Sequence, residues 1–413
     1  MAIAVGVATA CSSPRAPAPL PAAAARSEPP ARVAWALSWR GAAIGGAWER
    51  DDDTRFERHE QVIVRRGDQV VISDLDITIE RDAGGVPIEI GVTRWQDGPV
   101  LDGTARAEAG GWRVEVDGEA AVVVPAAVPF ELALRAAGRG GFHGPVILPG
   151  WGFAVATLDL VPSGAGHHVA RLQVGERQLE ASVRYDPDGA IAEIVGGDGV
   201  IARRAALDAD LRPAEPAEVV DGNAIALDHR ITGAPMMIVL PDATAPRPPA
   251  LPGQRATLGD ATWSVTLDAT AAGDVAPAPP GPDRSAAIAA LVHRVADDVD
   301  DDLGATVATT GAARAASRGD CTTHALRFAA LADDVGIATR VVTGLRIDSG
   351  ALVRHRWNLA WNGDRWIAVD PTWDEAPAAA ALIGLAVHGA RAADLAAADA
   401  TVFDGLGRRA VSR

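Results

Sequence analysis

The chain has 413 residues, which is enough for two or three domains that each bury a core of their own. Its 54 acidic and 38 basic residues give a net charge of −16, which argues against nucleic-acid binding, because neutralising phosphates requires a basic surface. All of the basic residues are arginines, so the chain has no lysine amine with which to cross-link itself.

The first thirty residues are predicted to be a signal and a linker. Residues 1–10 are small and apolar, Cys11 follows Ala10, and an Ala/Pro-rich run continues to Pro30. A small residue before a cysteine is typical of a bacterial lipoprotein signal peptide, in which the cysteine is lipidated. We therefore expect an exported protein of the cell envelope, periplasmic or on the outer surface, that touches the membrane only through a lipid anchor at Cys11. The alternative is an unstructured Ala/Pro tail.

Residues 31–205 are predicted to form an antiparallel β domain. Apolar and polar residues alternate with a period of two, as from Leu75 to Glu80 and from Trp112 to Asp117. Turn signals recur at Gly84-Gly85, Asp117-Gly118 and Asp188-Gly189. This alternation indicates a sheet with one solvated face. Such a domain could dock a substrate, hold the protein off a membrane or cover a site, and the pattern does not choose among these roles.

Residues 206–280 are predicted to continue the β region and to end in a linker. A strand is expected from Ala261 to Leu267, and a proline-rich run from Ala276 to Pro280 follows. The next segment, from Arg284 to Val299, has apolar residues at helical spacing and predicts a helix. We expect this helix to open a C-terminal domain at residues 281–413.

Cys321 stands at a predicted helix start. Asp320 is a favourable N-cap, residues 321–334 are helix formers, and Gly336 suits the C-terminal stop. The positive end of the helix dipole favours the thiolate, which is the nucleophilic form of cysteine. The negative charge of Asp320 opposes this effect unless the carboxylate is occupied as the cap. The alternative for a free cysteine is a buried small hydrophobic residue.

A strand from Thr339 to Leu345 and a hairpin around Asn362-Gly363 are predicted to follow. Asn-Gly between apolar alternations favours a two-residue turn. With that turn, His355 lies directly opposite Asp370 on one face of the sheet, with Cβ atoms roughly 4.5–5.5 Å apart. A carboxylate beside an imidazole orients the ring as a general base.

These elements resemble the core of the transglutaminase-like superfamily over about the last third of the chain. The pattern of that superfamily is a Gly-Asp-Cys helix, a Gly-Ile-x-x-Arg strand, a His-x-Trp-Asn strand and an Asp-Pro-Thr segment. The four motifs occur here in order as Gly319-Asp320-Cys321, Gly336-Ile337-Ala338-Thr339-Arg340, His355-Arg356-Trp357-Asn358 and Asp370-Pro371-Thr372.

The resemblance implies a papain-like α+β domain and a thiol mechanism, with Cys321 as nucleophile, His355 as base and Asp370 as the residue that orients the base. Two features depart from the pattern. Leu359 stands where the family often has Glu, and the backbone N–H of Cys321 is the only group that we assign to an oxyanion hole.

The remaining candidates concern binding. Trp357 and Trp373 are candidates for a substrate groove, although most of the neighbouring tryptophans are expected to be core residues. His324 forms a C-x-x-H pattern with Cys321, but no second Cys/His pair accompanies it, so a place on the helix surface or in packing is favoured over a metal site. We expect neither a metal nor another cofactor.

We therefore predict a multidomain protein, with an antiparallel β-rich N-terminal region and an α+β transglutaminase-like, papain-like C-terminal domain. The implied function is thiol-dependent amide chemistry through a thioester, as a peptidase or deamidase or by protein-glutamine acyl transfer, on envelope proteins or peptides. One alternative is a catalytically idle transglutaminase-like protein that binds envelope components. Another is that the β region binds a surface polymer which the C-terminal domain processes.

Overall fold

The computed structural model describes residues 32–406, except 67–68, 97, 118, 120, 176, 198, 220–224, 227–235, 242–246, 260–261, 269–270, 272, 349–350 and 379–380. The predicted lipoprotein segment and Cys11 lie outside the described residues. No helix in the described part of the chain combines the length and the apolar character needed to cross a bilayer.

The described N-terminal region is built mainly of strands. They are β1 (Val33–Trp39), β2 (Ala42–Asp51), β3 (Arg55–Arg66), β4 (Gln69–Arg81), β5 (Pro87–Trp95), β6 (Pro99–Glu108), β7 (Gly111–Val116), β8 (Val122–Pro125), β9 (Val128–Pro129), β10 (Phe142–Leu148), β11 (Ala154–Gly164), β12 (His167–Val174), β13 (Arg177–Tyr185), β14 (Ile191–Gly196), β15 (Val200–Ala205) and β16 (Ala217–Glu218). One helix, α1 (Phe130–Ala136), interrupts them, and short 3₁₀ turns lie at Ala137–Arg139 and Pro149–Trp151.

These strands form one large sheet with two halves, antiparallel except where β9 pairs with β10 and β16 pairs with β3. Its order runs from β8 back to β1, and then from β15 back to β10, with β9 at the edge and β16 attached to β3. Pairing of β1 with β15, where Ala36 lies opposite Arg203, joins the two halves. One apolar cluster includes Leu158 and Tyr185, and a second includes Phe56 and Phe153. The predicted antiparallel β-rich N-terminal region is confirmed.

The C-terminal part contains shorter strands and four α-helices within the described residues. The strands are β17 (Ile225–Ala226), β18 (Met236–Pro241), β19 (Gln254–Gly259), β20 (Thr262–Leu267), β21 (Asp300–Asp301), β22 (Arg318–Gly319), β23 (Thr339–Asp348), β24 (Ala351–Trp361), β25 (Trp366–Val369) and β26 (Leu382–His388). The helices are α2 (Ser285–Asp298), α3 (Thr310–Ala315), α4 (Cys321–Asp334) and α5 (Ala392–Leu406).

A five-stranded sheet organises this part. Its order is β17-β24-β23-β26, with β25 paired to β24. Helices α2 and α4 pack together and against this sheet through apolar residues that include Ile288, Phe328 and Val369. The predicted α4 matches the observed residues, and the predicted helix from Arg284 to Val299 corresponds to α2 within one residue at each end.

The strands between the two regions pack on the C-terminal sheet. β18, β20 and β19 form a small sheet of their own, and Trp263 and Val265 of β20 belong to a cluster with Leu345 and Ile383. Helix α5 contacts β26 and also β11 and β13 of the large sheet. The two regions are therefore joined by packing as well as by the chain.

Candidate active site

Cys321 is the first residue of α4. The side chain of Asp320 caps the helix, since its Oδ1 accepts hydrogen bonds from the backbone N–H groups of Thr322 at 3.0 Å and Thr323 at 3.3 Å. Glycine is required just before the cap, because a Cβ at Gly319 would lie 2.3 Å from Oγ1 of Thr323. Cys321 is a free thiol, and the residue is only partly buried.

His355 lies between Cys321 and Asp370. Its Nε2 donates to Oδ2 of Asp370 at 2.7 Å, and the ring also forms a hydrogen bond with Cys321, for which Nδ1 remains. Both His355 and Asp370 are buried. Burial lowers the pKa of His355, but its hydrogen bonds to Asp370 and Cys321 and the negative charges of both groups outweigh burial and raise the pKa to about 9. The imidazole is therefore held in its protonated form at neutral pH.

The hairpin that joins β24 to β25 corrects the predicted register. Asn358 pairs with Val369 and Trp361 with Trp366, so the turn has four residues, and His355 is not directly opposite Asp370. The shift is two positions, and since side chains alternate with a period of two, both residues keep the predicted face. They meet as diagonal neighbours just beyond the end of β25.

The wider turn has one local and one tertiary cause. The Asn362 side chain accepts hydrogen bonds from the backbone N–H groups of Asp364 at 3.0 Å and Arg365 at 2.9 Å. The turn carbonyls are also engaged by the segment before α2, because the O atoms of Asn362 and Gly363 accept from Arg284 N and Gly281 N. A two-residue turn could not make both sets of contacts.

Two side chains of β24 tie this strand to the helix that carries the cysteine. Arg356 donates to Oγ1 of Thr322 at 2.9 Å, next to Cys321, and the amide of Asn358 donates to the carbonyl of Ala325 at 3.1 Å. Arg356 and Asn358 are both buried. The separation between sulfur and imidazole is therefore set by packed elements and not by a loop.

Trp357 does not line a groove, contrary to the prediction. Its side chain is 1 % exposed and stacks near His355, with ring centroids 6.1 Å apart. Gly344 makes room for it, because a Cβ there would lie 2.8 Å from the indole and 2.0 Å from the carbonyl oxygen of Ile383. Trp357 is a core residue that supports the imidazole.

Trp373 is half exposed and lies three residues beyond Asp370. The guanidinium of Arg346 sits 4.3 Å from its ring centroid. The ring is therefore held in place beside the Asp370 end of the site while one side of it remains open to solvent. This is the environment expected of a groove residue, and its role stays a prediction.

Arg346 is a site residue that the sequence analysis missed. Its Nη1 donates to Oδ2 of Asp370 at 2.8 Å, and its Nη2 pairs with Glu375 at 3.1 Å. The guanidinium is buried, as is Asp370. A charged residue within the apolar strand β23 was a usable signal, because a buried arginine requires a carboxylate partner.

His324 is a buried packing residue and not a surface residue of α4. Its Nδ1 lies 3.0 Å from the carbonyl oxygen of Asp320 and its Nε2 lies 3.0 Å from that of Val299. Both ring nitrogens therefore join the start of α4 to the preceding segment. No group of three or more His, Cys, Asp and Glu side chains suited to a metal was found in the described ranges.

Comparisons with known proteins give one family match and a likeness to a solved structure. Residues 277–371 match the family model of the transglutaminase-like superfamily, and this range includes Cys321, His355 and Asp370. A solved structure from Cytophaga hutchinsonii, described as "a Putative Cysteine Protease", aligns with 41 % of this chain and 76 % of its own, at 14 % identity and a TM-score of 0.22. No curated protein was found to match the sequence. The C-terminal region of the chain contains a transglutaminase-like domain.

Proposed function

We propose that this protein is an enzyme that cleaves amide bonds by way of a thioester intermediate on Cys321, with His355 and Asp370 completing a catalytic triad. The observation that supports this most directly is the position of His355, which bonds to Asp370 through Nε2 at 2.7 Å and contacts the Cys321 thiol on its other side. A nucleophile, a base and a residue that orients the base are the three parts of such a mechanism.

In the first step the Cys321 thiolate attacks the amide carbonyl carbon. The C–N bond then breaks, and the leaving amine takes the proton of the His355 imidazolium, which leaves a thioester and a neutral imidazole. The start of α4 is positioned to stabilise the oxyanion, because the dipole of this helix points its positive end at Cys321. Asp370 keeps the ring oriented throughout.

In the second step neutral His355 takes a proton from the acyl acceptor, which attacks the thioester carbonyl; the C–S bond breaks, and the Cys321 thiolate and the His355 imidazolium are regenerated. With water as acceptor the products are a carboxylic acid and the free enzyme, as in a peptidase or deamidase. With an amine the product is a new amide, as in protein-glutamine acyl transfer. An amine acceptor on a protein side chain would come from another molecule, because this chain has no lysine.

The substrate is proposed to be a protein or peptide of the cell envelope. This proposal rests on the small, apolar residues that precede Cys11 and on the expected lipidation of that cysteine. Fractionation of cells that express the full chain, followed by mass analysis of its N-terminal peptide, tests it. A cytoplasmic protein without a lipid-modified cysteine would contradict the proposed location.

Labelling of the thiol separates this enzyme from a catalytically idle protein. Iodoacetamide modification of Cys321 can be followed in the tryptic peptide Gly319–Arg327. The wild type should react at mildly acidic pH, and His355→Ala should slow the reaction at least about tenfold there, because the thiolate loses its imidazolium partner. His143→Ala, which removes an exposed histidine of the β region, is the matched control. Slow labelling that is indifferent to His355 would support the idle protein.

The acceptor is identified by comparing envelope proteins from cells that carry the wild type or Cys321→Ser. New protein termini or deamidated glutamine in the wild type would establish hydrolysis, and isopeptide links would establish acyl transfer. If both strains gave the same envelope proteins with none of these changes, the amide chemistry proposed here would be wrong.

A further inference from the structure

The β region holds the segment that leads into the nucleophile's helix. Nη1 of Arg66, at the end of β3, donates to the carbonyl of Leu303 at 2.8 Å, and the Gln96 amide donates to the carbonyl of Gly304 at 2.9 Å. The backbone N–H of Ala308 donates to the carbonyl of Val100 in β6 at 3.0 Å. Contacts from the end of β3, from the turn after β5 and from β6 therefore hold residues 303–308.

The same segment is bonded to the cap of α4. The backbone N–H of Asp320 donates to the carbonyl of Ala305 at 2.9 Å, and the hydroxyl of Thr306 donates to Oδ1 of Asp320 at 3.0 Å. Arg66 also reaches the cap directly, since its Nη1 lies 3.6 Å from Oδ2 of Asp320. A side chain of the N-terminal region thus contacts Asp320, the residue that directly precedes Cys321.

The two oxygens of Asp320 have different surroundings. Oδ1 accepts hydrogen bonds from the start of α4 and from Thr306, whereas Oδ2 faces the Arg66 guanidinium. Asp320 is mostly buried, so its negative charge is only partly screened by water. The capping bonds engage Oδ1 alone, so the carboxylate beside Cys321 still opposes formation of the thiolate through the charge on Oδ2. A fixed positive charge at Oδ2 offsets that effect.

We propose that the β region contributes to the active site through Arg66. Arg66 is a positioning residue whose positive charge offsets the negative charge of the Asp320 cap, so that Cys321 can ionise. This inference rests on the proposed role of Cys321 as nucleophile. Among the described residues, the charged or titratable side chains grouped around Cys321 and its cap are Asp320 and His324 from the start of α4, His355 and Arg356 from β24, and Arg66 from β3. Their own acidic partners are Asp370 for His355, Asp399 of α5 for Arg356, and Asp301, which lies 3.7 Å from His324. Of these, Arg66 alone comes from the N-terminal region.

The test is the pH dependence of iodoacetamide labelling at Cys321 in the full chain, read from the tryptic peptide Gly319–Arg327. Arg66→Gln should move the pH of half-maximal labelling upward by at least about half a unit, because an uncompensated carboxylate then adjoins the sulfur. Arg66→Lys keeps a positive charge and should retain most of the wild-type profile. Arg65→Gln, which removes the neighbouring exposed arginine paired with Glu218, is the matched control and should leave the profile unchanged.

A double-mutant cycle separates charge from simple loosening of residues 303–308. Asp320→Asn keeps an N-cap side chain but removes its charge. If Arg66 acts through that charge, Arg66→Gln has no effect in the Asp320→Asn background. An equal shift in both backgrounds, or no shift in the wild-type background, would overturn the inference.

The proposed function is checked in the same experiment. His355→Ala should slow labelling whether or not Arg66 matters, so an inert Arg66 with an effective His355 contradicts only the role given to the β region. If neither variant changes labelling, the catalytic proposal itself is contradicted.

Discussion

Nη1 of Arg346 lies 2.8 Å from Oδ2 of Asp370, and these side chains are 9 % and 0 % exposed. The same oxygen accepts the hydrogen bond from His355. Asp370 is therefore a buried carboxylate with two cationic partners. The guanidinium of Arg346 is always charged, whereas the imidazole of His355 is charged only while it is protonated. Arg346 therefore holds the Asp370 side chain in position whether or not the imidazole of His355 is protonated.

Arg346→Met should lower the free energy of unfolding by about 3–5 kcal/mol, because it leaves a buried carboxylate with one partner fewer. Urea unfolding at neutral pH measures the change. Arg340→Met on the same strand is the matched control, because Arg340 is exposed, and it should cost less than about 1 kcal/mol. If both variants lost the same free energy of unfolding, Arg346 would contribute no more to stability than an exposed arginine does.

The stability of the protein should fall as the pH rises from about 6.5 to about 9. The pKa of His355 is raised from 6.5 to about 9 in the folded protein, so across this window the folded state keeps a proton that the unfolded state releases. The stabilisation is fully present below about pH 6.5 and is lost as the pH passes through 9. Urea unfolding at a series of pH values should show this decline in the wild type and a smaller one in His355→Gln. Parallel curves would contradict the assignment.

Arg356→Met should slow iodoacetamide labelling of Cys321 by about tenfold or more, since it removes the bond to Thr322 that fixes the start of α4 against β24. Arg354→Met changes an exposed arginine on the same strand and serves as control. Circular dichroism of both variants checks that α4 and the sheets are retained. Unchanged labelling in Arg356→Met would mean that this bond does not set the geometry of the thiol.

The two tryptophans named as groove candidates should respond differently to truncation. Trp357→Ala removes a buried ring and should cost about 3–5 kcal/mol of stability. Trp373→Ala removes a half-exposed ring and should cost no more than about 2 kcal/mol, with iodoacetamide labelling unchanged. If Trp373 contacts the substrate, its variant should raise KM for a protein substrate more than it lowers kcat. Unchanged KM would remove Trp373 from the groove.

Local chemistry explains why much of the C-terminal architecture could be predicted. The cap at Asp320, the apolar spacing of α4 and the stop at Gly336 are all encoded within a few residues, and the observed helix matches the prediction. The alternation in the N-terminal region likewise depends only on neighbouring residues, which is why the antiparallel sheet was predictable.

The contacts that set the detailed geometry of the site join residues that are distant in sequence, and no local sequence pattern predicts them. The turn at Asn362 is widened partly by the segment before α2, which is distant in sequence, so the Asn-Gly pair alone suggested a register shifted by two residues. Arg66 contacts Leu303 from 237 positions away. An arginine within an apolar strand indicates that a carboxylate lies nearby. Which group it contacts, however, is decided by tertiary packing, which no local pattern shows.

The absence of lysine has a consequence for how acidity acts on this protein. Three arginines, Arg66, Arg346 and Arg356, supply positive charge around Cys321 and its partners. Their guanidinium groups keep this charge at every pH at which a protein normally folds. They form a constant electrostatic background. A change of pH therefore leaves these three positive charges in place and acts on the cluster through other groups, of which His355, with its raised pKa of about 9, is one.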